Sequence, residues 1–457
     1  MAGRILALAC LASGVVAERY NFDHKPAPEG YSLDGWYMFR VYNQGDFAEA
    51  SGTATFQVQK PKIEMHVVAM PKGGSEPPSS GSLEVAVMHH DDFSTSFDEE
   101  NFCKDGKLKP TSDKAEFFST VIPFDADGFE VSAPLNKTGK YILMLSNCGS
   151  FDKATISGFA QVKNPFGYLP PEMYHQVTPL CAFLFGYVVL TGGWIAYGVS
   201  QKKQFYDIHS YLTALLGLAV LEVMASLYAL NTANTTAVME PYMSIATILY
   251  VLKWVYVYAL AAYVVSGYYD NDDEATNEDL HNSSTKSWLI GMGLASIYTV
   301  VLSLRECVMA ERAGGNISSG SVLAINFPVM VLDAVLILYV LLQSKHQYDD
   351  AEAKINISRS GIFSKLHKLA AVCAILGGMS LVLSAADILG LASLSWSSQW
   401  MAQQGASHVI CLVALGGAIF IMRPGMVEKK NLYGKVGVVG DAEGGETVGR
   451  PDDDDEM

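Results

Sequence analysis

The chain has 457 residues, half of them hydrophobic and only 17% charged, with a formal net charge of −16. A soluble domain carries about 25% charged residues, so a single water-soluble fold accounts poorly for this composition. An acidic chain also lacks the basic face that phosphate backbones require, and no nucleic-acid partner is expected. The charges crowd residues 18–165 and the C-terminal tail, whereas residues 177–422 are mostly apolar, a division between water and lipid. No Gly-rich phosphate loop, HExxH, GxSxG or CxxC occurs, so neither enzymatic chemistry nor a cofactor or metal centre is expected.

Residues 1–17 read as a signal peptide. Arg4 gives a positive start, Ile5–Val16 is apolar but too short to cross a bilayer, and Ala17 offers a small residue at the cut. Residues 18–165 then form a luminal domain. Short runs rich in aromatic and β-branched residues, separated by Gly, Pro, Asp and Asn, predict strands at 36–42, 53–58, 63–69, 83–88, 117–122, 129–131, 141–145 and 154–162. That spacing predicts an all-β sandwich. Pro71 to Gly81 is rich in Gly, Ser and Pro and reads as a loop.

Cys103 and Cys148 are the two cysteines of this domain, and an oxidising lumen favours a disulfide between them over two separate thiols. His89-His90-Asp91-Asp92 has metal-ligand chemistry, but neighbours on a strand point to opposite faces, so a turn is the better reading. Three sequons fall on the luminal side, at Asn136, Asn234 and Asn316.

Residues 166–424 carry seven apolar segments, near 177–199, 208–230, 241–267, 288–304, 321–342, 369–390 and 400–422. Each approaches the ~20 residues that span a hydrocarbon core, and the fourth is the shortest. The expectation is an all-α seven-transmembrane bundle with a luminal N-terminus and a cytosolic C-terminus. Lys202, Lys203, Lys345, Lys354, Arg359, Lys365, Lys368, Arg423, Lys429 and Lys430 lie on the proposed cytosolic side; the luminal loops hold Arg305 and Arg312. Cys307 falls in one of those luminal loops, with no role assigned. Residues 425–457 end in Asp452–Glu456 and predict a disordered acidic tail.

The junction between the two parts is distinctive. It reads Asn164-Pro-Phe-Gly-Tyr-Leu169, followed by Pro-Pro-Glu-Met-Tyr174 at the start of the first apolar segment. Trp194 lies late in that segment, Glu222 within the second, Trp396 and Trp400 before the last, and Met422-Arg423-Pro424 at its end. In these features the chain resembles the GOLD-domain seven-transmembrane (lung seven-transmembrane receptor-like) family. A Gly-Tyr-Gly-x-Val motif is absent from the third and fourth segments, which leaves the subfamily open, the related intimal-thickness-receptor branch included. The resemblance implies a GOLD sandwich over seven helices, Golgi and endosomal residence, and a role in membrane trafficking. It also implies the alternatives proposed for some members, a cation channel or an orphan receptor.

Four charged residues stand deep inside apolar segments: Glu222, Lys253, Asp333 and Asp387. Charges there face a bundle interior or a wet cavity, and one lysine among three acids suggests a paired cluster. It would serve an ion path, a ligand counter-ion or a proton-sensitive switch, or it would hold the helices in register. His408 reads as a hydrogen-bonded core residue. The partners expected are membrane lipids, a luminal protein or lipid bound by the sandwich, and cytosolic trafficking adaptors on the acidic tail.

Overall fold

The structure, a computed structural model, describes residues 19–26, 36–44, 59–71, 82–96, 117–123, 129–148, 154–200, 207–238, 241–266, 278–312, 319–353, 357–388 and 405–423, with a few short stretches between them. The signal peptide, the 53–58 strand, residues 72–81, Asn316 and the tail from 425 lie outside the described residues.

The N-terminal part is all-β and consists of two antiparallel four-stranded sheets. One sheet has the order β1 (Arg19–Pro26), β10 (Ala154–Lys163), β3 (Lys62–Pro71), β8 (Phe129–Pro134). The other has the order β2 (Trp36–Val41), β9 (Gly139–Ser146), β4 (Ser82–His89), β7 (Phe117–Pro123). Alternate residues of both sheets meet in one core, with Phe39, Val41, Val67, Leu83, Leu143 and Ile156 almost wholly buried. This is the sandwich that the run of short strands predicts.

Val85–Met88 of β4 and Tyr141–Leu145 of β9 are unbroken apolar runs because both strands are covered on both sides. Their outward residues Ala86, Met88, Ile142 and Met144 pack under Leu108, Phe93, Cys103 and Cys148. The cover is a short helix, α1 (His90–Ser96), and a two-stranded ribbon, β5 (Cys103–Lys104) with β6 (Lys107–Leu108). The turn expected at His89–Asp92 is therefore corrected: His89 ends β4, and Asp91 and Asp92 occupy the first turn of α1. Acidic side chains there suit the positive end of the helix dipole.

Strand β1 is missed by sequence patterning because Asn21, Asp23, Lys25 and Pro26 are poor strand formers. Packing overrides propensity. Tyr20 and Phe22 meet the Tyr37 and Phe39 rings at centroid distances of 4.9–5.1 Å, and β1 pairs along β10.

The rest of the chain is helical: α2 (Pro171–Ser200), α3 (Asp207–Thr236), α4 (Tyr242–Val265), α5 (Glu278–Arg312), α6 (Ser319–Ala353), α7 (Ile357–Ile388) and α8 (Ala406–Ile421). Successive helices pack on one another, and α8 returns to both α7 and α2, closing the bundle. Among the described residues, 6 helices are long and apolar enough to cross a membrane, while α8, at 16 residues, is apolar but shorter. The chain is an integral membrane protein by this measure. Phe185, Ile375 and Val382 are 63–71% exposed on the helix exteriors, where lipid rather than water suits them.

The fourth segment, expected to be shortest, has the shortest apolar stretch of the 6 candidate spans, 22 residues from Thr285 to Glu306, but that stretch is part of a 35-residue helix. The helix continues past the apolar run into Ser283 and Ser284 at one end and Glu311 and Arg312 at the other, all of which tolerate helix, so hydropathy alone underestimates its length. Cys307, expected in a loop, lies within α5, and its side chain is outside the described residues.

Cys103 and Cys148 are bonded, with their Cα atoms 5.3 Å apart, and the bridge closes a loop of 45 residues. It ties the β5–β6 ribbon to the end of β9. Loop-closure entropy sets its contribution near 4 kcal/mol. Replacing both cysteines with serine is expected to lower sandwich stability by about that amount in denaturant titrations of the full-length protein, and to expose the β5–β6 ribbon to protease first.

Candidate functional site

The sandwich meets the bundle in the segment that the sequence marks as distinctive. Strand β10 runs into Asn164, whose side chain is buried. Its Oδ1 accepts the Tyr42 N–H at 3.0 Å, and its Nδ2 donates to the Leu169 carbonyl at 2.9 Å. Its backbone exchanges two hydrogen bonds with Gly167, of 2.7 and 3.1 Å. One asparagine thus joins the end of β2, the turn and the approach to α2.

The far side of the turn is held by Asn234, near the end of α3. Its Nδ2 donates to the Phe166 carbonyl at 2.8 Å, its Oδ1 accepts from Leu169 N–H at 3.3 Å, and its own carbonyl accepts from Tyr168 N–H at 3.1 Å. Gly167 has φ +133°, and a Cβ on it would collide with the Asn234 side-chain and backbone oxygens. Only glycine combines that backbone with so close an approach. Phe166 stacks on Tyr174 in the first turn of α2, centroids 4.0 Å apart.

The turn is also anchored to the sandwich face. Tyr168 Oη reaches Glu64 Oε2 at 3.3 Å; Lys62 lies 2.8 Å from the other carboxylate oxygen, and Gln161 Nε2 donates at 3.0 Å. Burial alone would push the Glu64 carboxyl up, but the hydrogen bonds from Lys62 and Gln161 outweigh it and hold the group below its ordinary value.

Asn234 is the residue whose role sequence reading missed. It was expected as a glycosylation acceptor, and the structure engages both ends of its amide in the turn. Nothing along the sequence signals that role, since the residues whose backbone its side chain meets lie 65 and 68 positions away. Asn136 lies exposed between β8 and β9, open to a glycan.

Of the four charged residues expected within the bundle, the three whose side chains are described divide between two centres. Lys253 Nζ on α4 lies 2.9 Å from Glu222 Oε2 on α3, and both side chains are at most 3% exposed. The partner of Lys253 is therefore Glu222. His408 Nδ1 on α8 stands 4.0 Å from the same carboxylate oxygen, and the His408 carbonyl accepts from Tyr187 Oη of α2 at 3.2 Å. The His408 ring stacks on Phe183 at 5.2 Å. Four helices thus meet around one ion pair.

Asp333 on α6 belongs to a second centre. Tyr258 Oη donates to its Oδ1 at 2.7 Å, and Tyr298 supplies another hydroxyl. Asp387 is in the last turn of α7, and its side chain is outside the described residues. Nearby, Arg305 on α5 pairs with Glu306 at 3.1 Å and donates from Nε to Asn326 at 2.7 Å.

Asp333, Arg305, Asn326, Tyr258 and Tyr298 line a cavity of about 540 Å³, whose remaining walls are mostly aliphatic side chains from six of the seven helices. Among the described residues, no three His, Cys, Asp or Glu side chains gather as a metal site. No family model matches the sequence, and no curated protein matches it.

Two substitutions probe these contacts. Gly167→Ala is expected to cost at least about 1–3 kcal/mol through backbone strain and the collision with Asn234. It should lower the thermal midpoint and open the junction to limited proteolysis. Lys253→Met strands a buried carboxylate and is expected to cost about 3–5 kcal/mol, whereas Lys253→Met combined with Glu222→Gln should recover most of that loss. Thermal unfolding of the purified variants measures both.

Proposed function

We propose that this protein is a Golgi and endosomal membrane protein that binds a luminal partner through its β-sandwich and acts in membrane trafficking. One observation supports the reading above others. Asn164, Gly167 and Leu169, which carry the resemblance to GOLD-domain seven-transmembrane proteins, are the residues that fasten the sandwich to the bundle. A sandwich held this way passes a load or a tilt to α2 and α3 rather than swinging on a tether. In the proposed topology the N-terminus is luminal, with Asn136 glycosylated, and the acidic tail meets cytosolic adaptors.

The ion pair bears on the alternative of a cation channel. Glu222 is neutralised by Lys253 at 2.9 Å in a closed setting, which suits a fixed strut between helices better than a binding step for a passing cation. Asp333, which lines the cavity, is the acid on which a channel reading would rest.

Imaging the full-length protein, tagged within residues 440–450, against Golgi, endosome and plasma-membrane markers tests the proposal. Steady Golgi and endosomal residence, with cargo retention altered on depletion, is the expected result. Steady residence at the plasma membrane would overturn it in favour of a surface receptor.

A further inference from the structure

We propose that the bundle cavity is a binding site for a single-chain aliphatic amine whose ammonium group pairs with Asp333. The shape comes first. The cavity wall follows α4 from Tyr250 to Val265, which at about 1.5 Å per residue is about 22 Å of helix. It follows α6 from Asn326 to Leu341 and α8 from Ser407 to Met422 over the same length. A volume of about 540 Å³ lies within the usual ~300–1,000 Å³ of small-molecule sites. A space that runs this far along three helices suits an extended chain.

Polarity is graded along it. Tyr250, Arg305, Asn326 and Ser407 line the end nearer the sandwich, Asp333 stands near the middle, and beyond it the walls are Val264, Leu341, Leu366 and Met422. From Asp333 to Leu341 the apolar part is about 12 Å long, the length of a medium alkyl chain. The ligand is therefore amphiphilic, with its head toward the sandwich side.

Charge then selects the head group. Arg305 is held by Glu306 at 3.1 Å and by Asn326 at 2.7 Å, so this cation already has its counter-charge. Asp333 is bonded by the hydroxyls of Tyr258 and Tyr298 and feels Arg305 only at a distance, with no ion-pair partner within 4.0 Å among the described residues. With Arg305 and Glu306 balancing each other, an ionised Asp333 has no counter-charge of its own at close range. A buried carboxylate without a cation favours a ligand that supplies one. An anionic amphiphile would meet that like charge, and a neutral one would leave it uncompensated.

The test uses full-length protein in nanodiscs of neutral lipid and three probes of equal chain length: dodecylamine, dodecanol and dodecanoate. Ligand-induced shifts of the thermal midpoint give relative affinities. Dodecylamine is expected to bind at least tenfold more tightly than either other probe. Asp333→Asn should abolish the preference, and Asp333→Glu should keep it.

Gly377 provides a control that leaves the carboxylate intact. A Cβ there meets only ordinary contacts, at 3.8 Å from Ile337 and 3.9 Å from Ile410, so Gly377→Leu should fold while filling the cavity. It is expected to weaken dodecylamine binding at least tenfold with the ligand-free midpoint unchanged. Equal binding of the three probes, tighter binding of dodecanoate, or full dodecylamine affinity in Gly377→Leu would each overturn the proposal.

Discussion

Between residues 164 and 169 the chain leaves a β-sheet and enters a membrane helix, and its backbone must be satisfied on the way. The N–H groups of Asn164, Gly167, Tyr168 and Leu169 all find acceptors, two of them within the turn and two on Asn234. The arrangement depends on Gly167 for its backbone angle and on Asn234 for both ends of its amide. Because Asn234 belongs to α3, the turn is not merely a linker. It fixes the sandwich to two helices at once, and the interface that a ligand on the sandwich would act through is defined by these few bonds.

The same requirement governs the bundle. In hydrocarbon no water relieves an unpaired polar group, so polar side chains must satisfy one another across helices. Lys253 and Glu222 do so midway along α4 and α3, with His408 and Tyr187 drawing α8 and α2 to the same level. At the end away from the sandwich, His209 Nε2 donates to the Met422 carbonyl at 2.8 Å, and Trp194 Nε1 donates to Thr213 at 2.8 Å. These contacts tie α2, α3 and the end of α8. The helices are thus pinned at three levels, and the space left among α3–α8 is the cavity. A bundle closed by polar contacts on one side and hollow on the other can hold a ligand without losing its register.

Much of the architecture was legible in the sequence, for identifiable reasons. Runs rich in aromatic and β-branched residues between turn residues revealed strands such as β4 and β9, and the apolar stretches revealed the membrane helices, because burial and lipid exposure act directly on composition. Strand β1 was not legible: its polar alternate residues hid a strand that exists because Tyr20 and Phe22 pack on β2. The length of α5 was not legible either, since a helix does not end where hydropathy falls. The disulfide followed from compartment and count. The intramembrane charges were visible, but their division into a Lys253–Glu222 pair and a separate Asp333 centre depends on helix rotation, which spacing along the chain does not give. Asn234 was visible only as a sequon, because its contact with Gly167 spans 67 residues of sequence and two domains.

Hydrogen exchange of the full-length protein in nanodiscs reads the central constraint directly, at the amides of Gly167, Tyr168 and Leu169. Protection as strong as that of α2 and α3, and lost together in Asn234→Ala, is the result the account predicts. Exchange as fast as in exposed loops would contradict it, because the sandwich would then be tethered to the bundle rather than fastened to it.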